Sequence, residues 1–230
     1  MSSPESAFDL IEGYFRVVPP DLKDQHSPGR ICWAPSLYLV EVLTTLRVEY
    51  AKPGDETNVL LKLIPAGQNP NLFNHPPVLH PPIHTDEEFI PVKTKRRPVI
   101  IVSRTHSDIP RALRRGADFP PSFLIAPLYT LGEERYHPEF VERIKAFEYH
   151  QFFYLPQNDE HGIREAFVRF DRIQSVARRN LELTDTMLTQ NALDVLHDWL
   201  TYHTTGNLDD TIREYRELRL KAIHATGADH

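Results

Sequence analysis

Hydrophobic positions in the second half of the chain follow the pattern of buried strands. Residues 99–103 form a short apolar run that ends at a serine, and residues 122–131 form another. Two more strands are predicted at 151–155 and 165–170, joined by a polar segment that contains a glycine, as in a hairpin. A further strand is predicted at 171–179.

The first half of the chain is less regular. Apolar residues recur every three or four positions within residues 4–16, which predicts a short amphipathic helix. A Lys-Pro-Gly-Asp turn at 52–55 separates two apolar segments, 40–50 and 58–64. These two segments are therefore predicted to pair as a hairpin.

Three helices are predicted in the second half. The first covers residues 136–150, and the second is expected to start at Thr184 as its N-cap and to end at Gly206. Asn207 is expected to cap a last, highly charged helix with a narrow apolar stripe. Several strands around one core, followed by helices, predict a small β-barrel with additions.

Composition limits the possible classes of protein. The chain has 230 residues, 40% hydrophobic and 25% charged, which fits one generous domain with attached elements. Its 20 prolines against 9 glycines argue against a helical bundle. Cys32 is the only cysteine, so we expect no disulfide within the chain and a cytoplasmic location. No stretch approaches 18 consecutive apolar residues, so we expect no membrane partner.

The charge distribution changes the picture that the total charge gives. The formal net charge is −6, yet the segment between Lys93 and Arg115 carries +7, which leaves −13 for the rest. Such asymmetry indicates a local anion-binding surface. The basic run from Arg104 to Arg115 is the expected phosphate track, because contacts to phosphates add affinity without sequence preference.

Other kinds of functional site have little support. His75, His80 and His84 lie in a repeated His-Pro-Pro segment, but spacings of five and four are not a recognised ligand pattern. The chain also has no glycine-rich phosphate loop and no nucleophile elbow. We therefore expect no metal and no cofactor.

Four segments resemble the MazF/PemK family of toxin ribonucleases. Lys-Arg-Arg-Pro before an apolar strand (95–103) is similar to the Arg-Pro signature of the family, and Phe-Leu-Ile-Ala-Pro-Leu-Tyr-Thr (123–130) to the strand that follows. Phe-Asp-Arg-Ile-Gln-Ser-Val (170–176) and Leu-Thr-Asp before a helix (183–185) resemble later elements. Residues 29–34 correspond to the first family strand, although Arg30 stands where the family has an acid.

The resemblance implies a fold that is mainly β with helices. The expected fold is an SH3-like (MazF/PemK, CcdB-like) small β-barrel with C-terminal helices and a large insertion after the first strand. The barrel domain would cover 29–205 with its insertion at about 37–93. A helical extension would precede it at 1–28, and another would follow it at 206–230.

The resemblance also implies a function. Toxins of this family are homodimeric endoribonucleases that cleave single-stranded RNA without metal and are restrained by a cognate antitoxin protein. Their central arginine and threonine correspond here to Arg97 and Thr130. A guanidinium can stabilise the phosphorane formed during cleavage, and a threonine hydroxyl can orient a phosphate oxygen or the 2′-hydroxyl.

Alternatives remain at both positions. If the strand is shifted by one residue, Arg96 takes the role of Arg97. In an alternative alignment with the family, Tyr129 takes the role of Thr130; Tyr129 could instead stack on a base. His106 is the best substitute proton carrier. The expected RNA-binding residues are Lys95, Arg96, Arg104, His106, Arg111, Arg114, Arg115 and Tyr129. The alternative function is a non-catalytic SH3-like module that binds nucleic acid or protein.

Overall fold

A computed structural model describes residues 11, 13–38, 43–50, 59–69, 72, 78–79, 82–84, 87, 89–105, 113, 121–132 and 135–227. The chain divides into two compact units. Unit 1 comprises Met1–Ser36 and Arg96–His230, and unit 2 comprises Leu37–Lys95. The insertion expected at about 37–93 spans almost the same residues as unit 2.

Unit 1 contains an eight-stranded sheet. Its strands are β1 (Phe15–Val17), β2 (Arg30–Leu37), β7 (Thr94–Arg104), β8 (Ser122–Thr130), β9 (Phe152–Leu155), β10 (Ala166–Arg169), β11 (Gln174–Ala177) and β12 (Glu182–Leu188). Their order is β1-β12-β2-β7-β8-β10-β9, and β11 pairs with β8 as well. Among the described strands this order has two ends, so the sheet is open there. The fold is mainly β with helices, as predicted.

Three helices pack on this sheet. They are α1 (Pro138–Lys145), α2 (Gln190–Thr205) and α3 (Asp210–Gly227). Trp199 of α2 is fully buried, and Ile212 and Tyr215 of α3 join the same apolar core as Ile100 and Leu128 of the sheet. The apolar stripe predicted for the last helix is therefore buried at Ile212 and Tyr215.

A second core lies on the other side of the central strands. It contains Cys32 from β2, Val99 and Ile101 from β7, and Phe123 and Ile125 from β8. Val176 of β11 and Leu181 close it further along the chain. Alternate residues of β7 and β8 thus serve two different cores, which explains why both strands read as continuous apolar runs.

Unit 2 contains the predicted hairpin. Strand β3 (Thr44–Tyr50) pairs antiparallel with β4 (Val59–Pro65), with Leu46 opposite Leu63. The turn between them lies outside the described residues. Two further short strands, β5 (Val78–Leu79) and β6 (Pro82–Ile83), pair within the His-Pro-Pro segment.

The start of the chain differs from the prediction. Residues Phe15–Val17 form β1 and pair with β12, so this end of the helix predicted at 4–16 is extended. Gly13 has a positive φ of 67°, a conformation that interrupts a helix. Residues 4–10 and 12 of the predicted helix lie outside the described part of the chain. After β1, residues Pro20–Leu22 form a single 3-10 turn.

Helix boundaries account for the other differences. Thr184 is not an N-cap: it lies inside β12, and its hydroxyl donates to the carbonyl of Ile31 at 2.7 Å. The cap of α2 is Thr189, whose Oγ1 accepts from the N–H of Ala192 at 3.3 Å. Both threonines are followed by a polar residue, so the sequence alone allows either to be the cap. Because Thr184 is held in β12 by the pairing with β2, the helix begins after Thr189. Gly206 ends α2 as predicted, with φ 76°.

Three further boundaries differ from the sequence prediction. The last helix begins at Asp210, three residues beyond the cap predicted at Asn207. The first helix covers Pro138–Lys145, whereas a helix over residues 136–150 had been predicted. The strand predicted at 171–179 is limited to β11, with a 3-10 turn on each side.

Candidate nucleic-acid interface

Arg97 lies over an aromatic ring of the neighbouring strand. Val99 of β7 is opposite Pro127 of β8, and the same antiparallel register two residues further brings Arg97 opposite Tyr129. The guanidinium carbon of Arg97 lies 4.3 Å from the centroid of the Tyr129 ring, within the range of a cation–π contact. Both side chains are half-buried.

A second arginine reaches the same ring from the other neighbour of β8. Phe167 of β10 is opposite Tyr129, and Arg169, two residues later, leaves the same face of the sheet. Its guanidinium carbon lies 5.2 Å from the Tyr129 centroid and 5.7 Å from that of Phe152. We call Arg97, Tyr129 and Arg169 the arginine–tyrosine cluster.

Asp171 holds the second arginine in place. Nε and Nη2 of Arg169 both donate to its carboxylate, the first at 2.9 Å, which makes a bidentate pair. This hydrogen bond raises the pKa of Arg169, against the effect of partial burial. Asp171 also lies 3.5 Å from Nε of Arg172.

The cluster rests on a layer of packed aromatic rings. Tyr129 stacks on Phe167 with centroids 5.8 Å apart, and Phe167 meets Phe152 edge to face at 4.9 Å. Helix α1 covers this layer through Phe140, together with Tyr136. Fixed rings below and guanidinium groups at the surface form a rigid cationic site with a low-dielectric base, which strengthens its electrostatic interactions.

Thr130 points away from the cluster. It follows Tyr129 in β8, and successive side chains of a strand leave opposite faces. Thr130 pairs with Ala166 of β10, and its side chain is exposed at the end of β8. The structure therefore brings Arg97 together with Tyr129, the alternative at this position, and separates it from Thr130.

Arg96 has the same kind of partner on the opposite face. Its guanidinium carbon lies 4.5 Å from the ring centroid of Trp33, and Nη2 donates to Glu182 at 2.5 Å. More than half of each charged side chain is exposed, so this ion pair adds little stability. Of the two adjacent arginines, Arg97 is the more buried.

The structure describes two of the six remaining predicted residues. Lys95 is exposed and belongs to unit 2, and Arg104 is exposed at the end of β7. The four others lie outside the described residues: His106, Arg111, Arg114 and Arg115. Sequence reasoning missed Arg169; its only signal was the alternation of Phe167 and Arg169, followed by Asp171 two residues later.

The described part of the chain contains no group of three or more His, Cys, Asp or Glu side chains that could hold a metal ion. None of the described helices has the length and apolar character needed to cross a bilayer. No protein-family model matches the chain, and no curated protein is detectably similar to it in sequence.

Proposed function

We propose that unit 1 binds single-stranded RNA at the arginine–tyrosine cluster and cleaves it without metal, as an endoribonuclease of the MazF/PemK type. The observation that carries the proposal is the convergence of Arg97 and Arg169 on Tyr129. Their guanidinium carbons, at 4.3 and 5.2 Å from one centroid, lie less than about 10 Å apart. One short segment of a phosphodiester chain can contact both.

The chemistry of the cluster suits RNA. Guanidinium groups bind phosphate oxygens through parallel hydrogen bonds and stay charged at every relevant pH. Aromatic and guanidinium planes also bind unstacked bases, which single strands expose and duplexes do not. Metal-independent cleavage uses the 2′-hydroxyl as nucleophile, so RNA is the substrate and DNA is not.

Each residue has a distinct role in the proposed reaction. Arg97 stabilises the additional negative charge of the phosphorane, the kind of interaction that usually contributes most to catalysis. Arg169, held by Asp171, binds a neighbouring phosphate. The Tyr129 hydroxyl, rather than that of Thr130, is on the Arg97 face and can orient the 2′-hydroxyl or a phosphate oxygen.

The finer fold assignment belongs to the same proposal. Strands β2, β7, β8, β11 and β12 surround one small apolar core that contains Cys32, Val99 and Ile125. This arrangement supports an SH3-like barrel of the MazF/PemK and CcdB-like type, in the chain order that the resemblance implies. A homodimer and a cognate antitoxin are proposed on the resemblance alone.

A cleavage assay with matched substrates tests the proposal. A labelled single-stranded RNA is incubated in EDTA with wild type, with Arg97→Ala and with Arg97→Lys, which keeps the charge but loses the planar fork. We expect wild-type cleavage, a loss of about 100-fold or more for the alanine variant, and no cleavage of the all-deoxy strand. Arg16→Ala, exposed in β1, is the control.

RNA binding without cleavage is the second candidate function. The position of Thr130 on the face opposite Arg97 favours this second function, because the arginine and threonine that the resemblance brings together at the centre of the site are then on different faces of the sheet. RNA that binds wild type but stays intact, with binding weakened by Arg97→Ala, would support this module and refute the nuclease. Equal RNA affinity of wild type and Arg97→Ala, together with no cleavage by wild type, would refute both.

A further inference from the structure

A third arginine lies over a tyrosine beside the arginine–tyrosine cluster, in the segment that joins β8 to α1. The guanidinium carbon of Arg135 is 5.6 Å from the ring centroid of Tyr136, within the range of a cation–π contact. Arg135 is exposed and Tyr136 is half-buried. The pair thus repeats the arrangement of Arg97 over Tyr129, and the proposed function assigns no role to either residue.

The tyrosines of the two pairs rest on the same phenylalanine. Phe167 stacks on Tyr129 with centroids 5.8 Å apart and meets Tyr136 edge to face at 5.7 Å, so the two tyrosine rings are less than about 12 Å apart. The pKa of Arg169 is raised by Asp171 above all, and also by both tyrosines. The Arg135–Tyr136 pair therefore adjoins the cluster on one aromatic layer.

Local contacts fix the segment that carries Arg135. Its backbone N–H donates to the carbonyl of Gly132 at 2.9 Å, and the side chain of His137 caps the start of α1. Tyr136, between these two features, packs on Phe140 of α1 with centroids 5.5 Å apart. The ring under Arg135 is therefore held in place, so that an anion bound there needs little reordering of the protein.

The Arg135 guanidinium is available to an anion. Asp171 is already paired with Arg169, and no carboxylate within the described ranges forms an ion pair with Arg135. Glu133 and Glu134 precede it in the sequence and lie outside those ranges. A guanidinium stacked on a ring keeps its N–H edge free for parallel hydrogen bonds to phosphate oxygens. A ligand with several phosphates in a row can therefore contact Arg135 and the cluster together.

We propose that Arg135, held over Tyr136, binds a further phosphate of the RNA strand that occupies the arginine–tyrosine cluster. This inference rests on the proposed function, because it requires RNA at the cluster. In that reaction Arg97 contacts the phosphate that reacts, whereas Arg135 contacts one further along the strand. Since the Arg135 contact is the same before and during cleavage, it strengthens RNA binding and leaves the rate of the bound complex unchanged.

The distances limit the length of RNA that this extended surface binds. Contacts of 4.3, 5.8, 5.7 and 5.6 Å join Arg97 to Arg135 through the rings of Tyr129, Phe167 and Tyr136. Their guanidinium carbons are therefore at most about 22 Å apart, which roughly seven nucleotides span at a rise of about 3.4 Å each. A short single-stranded RNA is thus long enough to contact all three arginines.

Binding of a labelled oligouridylate of about eight nucleotides, measured by anisotropy at several salt concentrations, tests the proposal. Each phosphate contact adds about 0.7 to the slope of log K against log salt, which corresponds to about fivefold in affinity between ~1 M and ~0.1 M salt. We expect Arg135→Ala to bind about fivefold more weakly at the lower salt, with a slope lower by about 0.7. Arg135→Lys is expected to keep the slope, because it keeps the charge. Arg16→Ala, exposed in β1 at the other end of the sheet, is the matched control.

A double-mutant cycle tests whether Tyr136 acts by positioning Arg135. Tyr136→Phe keeps the aromatic face and is expected to bind RNA as wild type does. Tyr136→Leu removes that face and is expected to weaken RNA binding about 2–5-fold, but to have no further effect in the Arg135→Ala background. A loss for Tyr136→Leu that is equal in both backgrounds would refute the positioning role.

The outcomes separate this inference from the proposed function. Wild-type affinity and slope for Arg135→Ala, together with weaker RNA binding by Arg97→Ala, would overturn the third phosphate contact and leave the proposed function intact. Absence of RNA binding by wild type would overturn both. An equal loss in Arg16→Ala would show an effect of general charge and refute the contact. In the cleavage assay, Arg135→Ala is expected to raise KM at an unchanged kcat, and a large fall in kcat would contradict the assignment.

Discussion

Removal of the Arg30 guanidinium is expected to destabilise unit 1 strongly. Arg30 is 1% exposed, and its guanidinium donates to four backbone carbonyls. Nε donates to Thr184 at 2.8 Å, Nη1 to Leu22 at 2.7 Å and to Gln25 at 3.3 Å, and Nη2 to Lys23 at 2.9 Å. One side chain thus ties the 3-10 turn after β1 to the part of β12 where its register with β2 shifts.

The size of the effect follows from these bonds. A hydrogen bond from a charged donor contributes about 1.5–3 kcal/mol, and the wild type bears the opposing cost of burying the charge. Arg30→Met keeps the apolar stem, removes that cost and leaves the carbonyls without their donor. We therefore expect a net loss of about 3 kcal/mol, which for a chain of this size lowers Tm by roughly 6–12 °C.

Urea unfolding followed by tryptophan fluorescence measures this loss. Both tryptophans, Trp33 and Trp199, belong to unit 1, so the signal reports on the unit that contains Arg30. Arg179→Met, at an exposed position, is the control and is expected to stay within about 0.5 kcal/mol of wild type. An Arg30→Met protein within 1 kcal/mol of wild type, with an unchanged m-value, would refute the reasoning.

Three smaller predictions concern single side chains. Cys32 is fully buried and burial raises the pKa of its thiol to about 12, so a disulfide reagent is expected to label it at least ~100-fold faster in urea than in buffer. Burial, then the charges of Arg178 and Arg30, lower the pKa of His26. The stability that neutral His26 contributes is complete above about pH 6.5 and is lost as the pH falls. His26→Gln is therefore expected to flatten the acid side of the pH–stability profile. An unchanged profile would contradict this expectation. Thr189→Ala, which removes the cap of α2, is expected to cost about 1 kcal/mol in urea unfolding, and Thr189→Ser far less.

Strands with strong local patterns were predictable from sequence. The runs at β7 and β8 combine β-branched and aromatic residues with proline at the boundaries, and both strands serve two cores. The hairpin of unit 2 was equally clear, because a Lys-Pro-Gly-Asp turn separates two apolar segments. In these places propensity, pattern and turn chemistry agree, which is the condition under which sequence reasoning is dependable.

Features set by tertiary pairing were not predictable. Thr184 and Thr189 are both acceptable caps, and only the pairing of β12 with β2 decides between them. The local pattern around Arg169 does not identify its partner, because Tyr129 is 40 residues away and meets it through the register of β8 and β10. The hydrogen bond between the rings of His150 and His203, whose Nδ1 atoms are 2.8 Å apart, depends in the same way on how α2 packs against the start of β9.

The candidate site was predicted in part. Arg97 was named because residues 95–103 resemble the Arg-Pro signature of the MazF/PemK family, and the structure puts it over Tyr129, a residue named as the alternative to Thr130. The choice between two neighbouring residues of a strand depends on which face is inward, and a shift of one residue reverses it. Only a structure resolves that choice.

The most direct test of the central claim is the salt dependence of RNA binding. The affinity of a labelled single-stranded RNA is measured by fluorescence anisotropy at several salt concentrations, for wild type and for the double variant Arg97→Ala, Arg169→Ala. Each phosphate contact contributes about 0.7 to the slope of log K against log salt for a single strand. If the two arginines of the cluster bind phosphates, the double variant loses affinity and its slope falls by about 1.4, whereas an unchanged slope and affinity would contradict the account.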